Sequence, residues 1–116
     1  MYIYDIWGNE WTKFDYDPGN STAPTSPMGR YSHTAVAYNG SMYLFGGENN
    51  DQVYNDMWVY NYSIGEWYQV DSSGWQENTY PDPVRGHCSI VIGNEMYVFG
   101  GIESPTATSS VYGDKV

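Results

Sequence analysis

A chain of 116 residues has the length of one ordinary domain, and 41% hydrophobic with 18% aromatic residues give it enough apolar surface for a packed core, which argues against disorder. Four Lys and Arg stand against fourteen Asp and Glu, a net charge of -10, so Lys13, Arg30, Arg85 and Lys115 cannot form the basic stripe that phosphate binding requires; nucleic acid and anionic membrane surfaces are poor partners. No apolar run approaches the roughly 18–20 residues of a membrane helix, so no membrane insertion is expected, and Cys88, the one cysteine, forms no internal disulfide and suits a reducing compartment such as the cytoplasm.

Taken in chain order, the pattern is all β. Residues 1–14, MYIYDIWGNEWTKF, are two short aromatic-rich runs about a turn. Residues 15–26 are a polar connection. HTAVAYNGSMYLFGG, from His33 to Gly47, is a hairpin signature: two short runs joined by Asn39-Gly40, which tolerates the positive φ angles of a type I′ turn. MWVYNYSIGEWYQV, from Met57 to Val70, is a second hairpin with Gly65 in its turn. Residues 71–82 connect to a third, which turns at Gly93-Asn94 and ends in MYVFGG. Nowhere is there helical periodicity of useful length.

The chain also repeats itself. Phe45-Gly46-Gly47 returns 54 residues later as Phe99-Gly100-Gly101, His33 falls on His87, and Val53-Tyr54-Asn55-Asp56 falls on Val111-Tyr112-Gly113-Asp114. Met1 matches Met57 and Trp11 matches Trp67, so one unit spans about 54–58 residues and four strands, a to d, as a propeller blade does. Within the unit, Arg30-x-x-His33 is followed by Tyr43-x-Phe45-Gly46-Gly47, Asp56-x-Trp58-x-Tyr60 and Glu66-Trp67. Arg85-x-His87 is followed by Tyr97-x-Phe99-Gly100-Gly101. This ordered combination resembles the kelch repeat over nearly the whole chain. It departs in the longer insertion between Gly101 and Asp114, and in Lys115-Val116 where the first unit has Met57-Trp58.

The resemblance implies an all-β, kelch-type β-propeller segment of about two blades of four antiparallel strands, with a split blade at each end. Residues 1–14 supply strands c and d of a partial blade, and 27–70 form a complete blade. Residues 83–116 supply strands a, b and the start of c of another partial blade; 15–26 and 71–82 are inter-blade loops. Structural repeat roles fall to Arg30, His33, Tyr43, Gly46, Gly47, Trp67, Arg85, His87, Tyr97, Gly100 and Gly101. The glycine pairs end strand b where a side chain would collide with neighbouring backbone. Tyr43, Trp67 and their counterparts pack between blades. His33 and His87 each start a different strand a, which suits hydrogen bonding more than metal binding.

Positions 1 and 115 share one phase of the repeat. Open half-blades expose unpaired edges that invite another chain. Either further kelch blades of a longer chain complete them, or other copies do, head to tail. Three copies would then make roughly six blades.

Strand parity puts the tight a–b and c–d turns on one face and the longer b–c and d–a loops on the other. Loops carry recognition on rigid scaffolds. The predicted partner-binding residues are therefore Tyr16, Asp17, Glu48, Asn49, Asn50, Asp51, Tyr54, Trp75, Gln76 and Tyr80. Tyr and Trp are common interface anchors, and Trp75 stands outside the repeat pattern. Sequons at Asn20 and Asn61 are candidate glycosylation sites and would suit a secreted or lumenal location instead. The resemblance implies a non-catalytic protein-interaction module with a protein partner and no cofactor. A structural assembly of half-blades, in rings or filaments, is the alternative. A fragment of a galactose-oxidase-like enzyme is a third reading, but two His and one Cys offer few copper ligands, and no metal site is predicted. Hydrolase and phosphate-loop motifs are missing.

Overall fold

The computed structural model describes residues 1–14, 25–77 and 79–103. Tyr16, Asp17 and Asn20, together with the residue 111–114 part of the repeat, lie outside the described residues. Ten short strands account for the regular structure among the described residues: β1 (Tyr2–Asp5), β2 (Glu10–Lys13), β3 (Thr34–Tyr38), β4 (Ser41–Phe45), β5 (Met57–Asn61), β6 (Glu66–Gln69), β7 (Val84–Arg85), β8 (Cys88–Ile92), β9 (Glu95–Phe99) and β10 (Ile102–Glu103). β3, β4, β5 and β6 form one antiparallel sheet in that order, while β1–β2 and β8–β9 are two-stranded ribbons. The fold is all β, with one complete four-stranded sheet and, among the described residues, a two-stranded ribbon on each side of it.

Local chemistry makes the hairpins. Asn39 and Gly40 have φ of 45° and 75°, the double left-handed turn whose twist matches that of the strands. The β5–β6 turn closes on Asn61, whose Oδ1 accepts from the Ser63 and Ile64 amides at 2.9 and 3.3 Å. The β1–β2 turn uses Asp5 in the same way, accepting from Trp7 and Gly8 at 2.9 and 3.0 Å. Registers match too: Tyr4 opposes Trp11 as Tyr60 opposes Trp67.

The core sits at the middle of the complete sheet. Leu44, Phe45, Trp58, Val59 and Tyr60 are buried, because β4 and β5 have a strand on each edge and structure against both faces. Full burial of such a side chain contributes roughly 1.5–3 kcal/mol. The β1–β2 ribbon lacks those neighbours, and its aromatics lie open: Trp7 is 98% exposed, Trp58 only 2%.

One expectation needs correction. The residues after each glycine pair read as the start of a long b–c loop, yet Ile102–Glu103 is a strand, pairing with Arg85 and Val84. One unit earlier, Glu48 bridges both Tyr31 and Val53. The reason is backbone direction. Gly46 and Gly47 have φ of 66° and 91°, Gly100 and Gly101 of 74° and 89°. Successive left-handed residues fold the chain back onto the segment that precedes strand a, where its amides find partners.

Candidate functional site

The long-loop face is organised around two ion pairs of different reach. Within the complete sheet, Arg30 meets Asp56 in a two-point fork at 2.5 and 3.0 Å and donates to the Gly46 carbonyl at 3.1 Å. Its guanidinium also lies 4.0 Å from the centre of the Tyr54 ring, and Asp56 accepts from Trp58 Nε1 at 2.7 Å. A planar fork over an aromatic face is a task for Arg rather than Lys. Tyr54 in turn bonds Asn49 Nδ2 at 2.6 Å, and Asn49 Oδ1 accepts from the Asp51 and Gln52 amides.

The second pair crosses between units. Arg85 donates to Glu48 at 2.9 Å. Backbone bonds run alongside it, from Gly47 N to Val84 O and from Val84 N to Tyr54 O, at 2.8 and 3.1 Å. His87 completes the joint. Its Nε2 lies 2.8 Å from Thr34 Oγ1 and 3.1 Å from the Phe45 carbonyl, and its ring meets Phe45 edge-on at 5.6 Å. A carbonyl only accepts, so Nε2 carries the hydrogen, while Nδ1 is buried without a partner among the described residues. Burial holds the His87 pKa below the usual imidazole value and nearby His33 pushes the same way; the Phe45 carbonyl opposes both. The His33 pKa is likewise lowered, by burial and then by Arg30. Thr34 Oγ1 also bonds Ser89 Oγ at 2.6 Å, a strand-to-strand contact that nothing in the repeat pattern marks.

Glycine is required in this joint. A Cβ on Gly46 would stand 2.7 Å from both His87 Cε1 and the Val84 carbonyl; one on Gly47 would stand 2.8 Å from the Tyr31 carbonyl and from His33 Cβ. Gly101 has the same relation to the Arg85 carbonyl at 2.7 Å, whereas a Cβ on Gly100 would meet no atom of the described residues within 4 Å.

The predicted site residues divide in two. Glu48 and Tyr54 are buried, so their inclusion in an exposed binding surface is corrected: one is drawn in by Arg85, the other by Arg30 and Asn49. Asn49, half-buried, shapes its own loop. Asn50, Asp51, Gln76 and Tyr80 are exposed. Trp75 is half-buried and stacks on Tyr80 at 5.4 Å. These two rings and Gln76 rim a groove of about 680 Å³ between the units, lined by Phe45, Met57 and Met96. Asn55 Nδ2 donates to the Pro81 carbonyl at 3.3 Å, which ties the two loops together. Of the repeat aromatics, Trp67 packs on Tyr60 at 5.2 Å within its sheet, Tyr43 lies half-buried near Tyr38, and Tyr97 is 48% exposed. Asn61 is half-buried at the end of β5 with its Oδ1 engaged in the turn. Among the described residues no three His, Cys, Asp or Glu side chains come together as a metal site would need.

Comparison with known proteins follows the same lines. A family model described as the KLHDC2/KLHL20/DRC7 Kelch-repeats domain matches residues 1–114. Rho GTPase-activating protein gacHH of Dictyostelium discoideum is 35% identical over 89 residues, 76% of this chain and 6% of that protein. Kelch domain-containing protein 3 of Homo sapiens is 35% identical over 80 residues, 67% of this chain and 20% of that protein. Kelch domain-containing protein 2 of Homo sapiens is 28% identical over 120 residues, 90% of this chain and 29% of that protein. The chain spans less than a third of the length of each of these relatives.

Proposed function

The chain belongs to the kelch-repeat family, and from that premise we propose that it is a non-catalytic protein-interaction module whose partner docks on the long-loop face. The division of that face into held and solvent-facing side chains carries the reading. Arg30, Asp56, Glu48, Arg85 and His87 fix the loops from beneath. Asn50, Asp51, Gln76 and Tyr80 reach solvent around Trp75. Glu48, Asn49 and Tyr54 act as positioning residues, and Tyr16 and Asp17, outside the described residues, are kept as partner-binding candidates on the sequence alone. An aromatic pair with a polar, acidic surround suits a protein segment carrying basic residues, given the net charge of -10. The module works in the cytoplasm, where its single cysteine stays reduced.

The test is a screen of Lys/Arg-bearing and neutral peptides followed by titration of the tightest binder. Trp75→Ala and Tyr80→Ala are expected to weaken it about tenfold or more with an unchanged melting curve. Undiminished binding by both variants would remove the loop face from the proposal. Stoichiometric copper in the purified protein would overturn the non-catalytic reading, and a glycan at Asn20 or Asn61 would overturn the cytoplasmic one.

A further inference from the structure

We propose that Met28 is an oxidation site through which a peroxide loosens the loop between β4 and β5. Two independent observations meet at its sulfur: access to solvent, and a place in the hydrogen bonds that hold that loop.

Access comes first. The chain has five methionines, all among the described residues. Met1, Met42, Met57 and Met96 are half-buried, whereas Met28 is 45% exposed. The position stays open when another unit stands before it. Ile102 pairs with Arg85 as Glu48 pairs with Tyr31, so Asp82 holds in its unit the place that Met28 holds in its own. The complete sheet lies against that later segment, with Val84 N donating to the Tyr54 carbonyl at 3.1 Å, and Asp82 is exposed all the same. An oxidant must reach a thioether to oxidise it, so access ranks the five.

The contacts of the sulfur connect it to the loop. Tyr54 OH donates to Met28 Sδ at 3.4 Å and Asn49 Nδ2 donates to it at 3.5 Å, while Asn49 Nδ2 also donates to Tyr54 OH at 2.6 Å. Two donors thus converge on one weak acceptor. Asn49 is the residue that closes the loop tip. Its Oδ1 accepts from the Asp51 and Gln52 amides at 2.9 and 3.0 Å, and its own amide donates to the Gln52 carbonyl at 3.0 Å. The other end of Met28 is held: its carbonyl accepts from Arg30 Nε at 3.1 Å, and the Arg30 guanidinium covers the Tyr54 ring. A change at the sulfur is therefore passed to Asn49 and Tyr54.

Hydrogen peroxide is the oxidant. A sulfur lone pair attacks one peroxide oxygen, so that an S–O bond forms and the O–O bond breaks. The transferred oxygen gives its proton to the departing hydroxide, which leaves as water. Sulfur is oxidised by two electrons and the peroxide is reduced by two. The product is a polar sulfoxide, whose oxygen is a stronger acceptor than the sulfide. It does not fit the present spacing. An S–O bond followed by an ordinary O–H···O separation of about 2.7 Å is longer than the 3.4 Å between Met28 Sδ and Tyr54 OH. Either the new oxygen displaces Tyr54 and Asn49, or the side chain swings into solvent and leaves their donors without this acceptor. Both outcomes free Asn49 from the position in which it closes the turn. Methionine sulfoxide reductase restores the sulfide, so the change is reversible.

The test uses a Cys88→Ser background, because the Cys88 thiol is exposed and also reacts with peroxide. The protein and its Met28→Leu variant, which keeps a side chain of similar volume without the sulfur, are treated with hydrogen peroxide. Peptide mass spectrometry locates the added oxygen, and hydrogen exchange followed by NMR reads the Asp51 and Gln52 amides. The first oxygen is expected on Met28, with severalfold faster exchange of these two amides. Methionine sulfoxide reductase should reverse it, and Met28→Leu should show no change on treatment. Oxygen arriving on Met1, Met42, Met57 or Met96 as fast as on Met28 would overturn the site. A sulfoxide at Met28 with unchanged exchange, or an equal rise in Met28→Leu, would overturn its hold on the loop. The consequence for a partner rests on the loop-face reading above: the oxidised protein should bind the peptide selected there severalfold more weakly. Loosened amides with undiminished peptide binding would support the oxidation site and remove Asn50 and Asp51 from the binding surface.

Discussion

Strands β4 and β9 read almost alike, SMYLF against EMYVF, and both run into a glycine pair of positive φ. Their surroundings are opposite. Phe45 is 1% exposed and Phe99 40%. His87 and the Val84 carbonyl close on Gly46, while none of the described residues closes on Gly100 in this way. The backbone φ angles of the two glycines, 66° and 74°, nevertheless differ by only 8°. Conformation here belongs to the local sequence, whereas burial belongs to the neighbour. A repeat unit writes its own turns but borrows half of its core from the next unit.

Paired substitutions sharpen that contrast. Gly46→Val is expected to abolish cooperative urea unfolding, because the new side chain meets backbone and imidazole as well as an unfavourable φ. Gly100→Val should carry only the backbone strain, roughly 1–3 kcal/mol. A Gly46→Val chain with an unchanged urea midpoint would mean that the inter-unit joint does not hold the fold. Phe45→Ala should lose about 3–5 kcal/mol and Phe99→Ala less than about 1 kcal/mol in dilute monomer, read from the same curves. Similar losses for the two would break the comparison.

The arginines give a third pair. Arg30→Met strands Asp56 among buried groups and is expected to cost about 3–5 kcal/mol. Arg85→Met leaves Glu48 unpaired but removes a side chain that is 29% exposed, so a smaller loss, roughly 1–3 kcal/mol, should appear in denaturant midpoints. The reverse order would show that the inter-unit pair outweighs the one within the sheet.

Acid gives the smallest effect. The folded-state pKa of His87 lies below its unfolded value of about 6.5, so the unfolded chain takes up the proton first. Its stabilising contribution is complete above pH about 6.5 and is lost as pH falls towards the folded pKa. The melting temperature should therefore drop between pH 7.5 and 5.5, with a shallower drop in His87→Gln. His33, shifted in the same direction, accounts for a residual slope. Parallel slopes for the two proteins would rule His87 out as the source.

Much of the architecture was legible because its signals are local. Asn39-Gly40, Gly65 and the alternation of aromatic with small residues suffice for hairpins, and the doubled Phe-Gly-Gly gives the period. The partners of the arginines were not legible. Arg30 stands three residues before its histidine and Arg85 only two. In a strand, one residue reverses the side from which a side chain leaves. Arg85 therefore occupies the register position of Tyr31 and points to the preceding unit. The inward turn of Glu48 and Tyr54 was hidden for a related reason. A polar loop residue looks solvent-bound until a cation from a neighbouring segment is placed beside it. Ile102–Glu103 was missed because pairing over two residues leaves no periodicity to read.

The uneven burial of the tryptophans has an optical consequence. Indole emission moves to longer wavelength as water gathers around the excited ring. Trp58, enclosed in the complete sheet, emits at the blue end, while Trp7 and Trp11, 98% and 68% exposed, emit at the red end. Acrylamide quenches the red population first. The colour of the emission therefore tells fraying of the first ribbon apart from collapse of the central sheet, without a label.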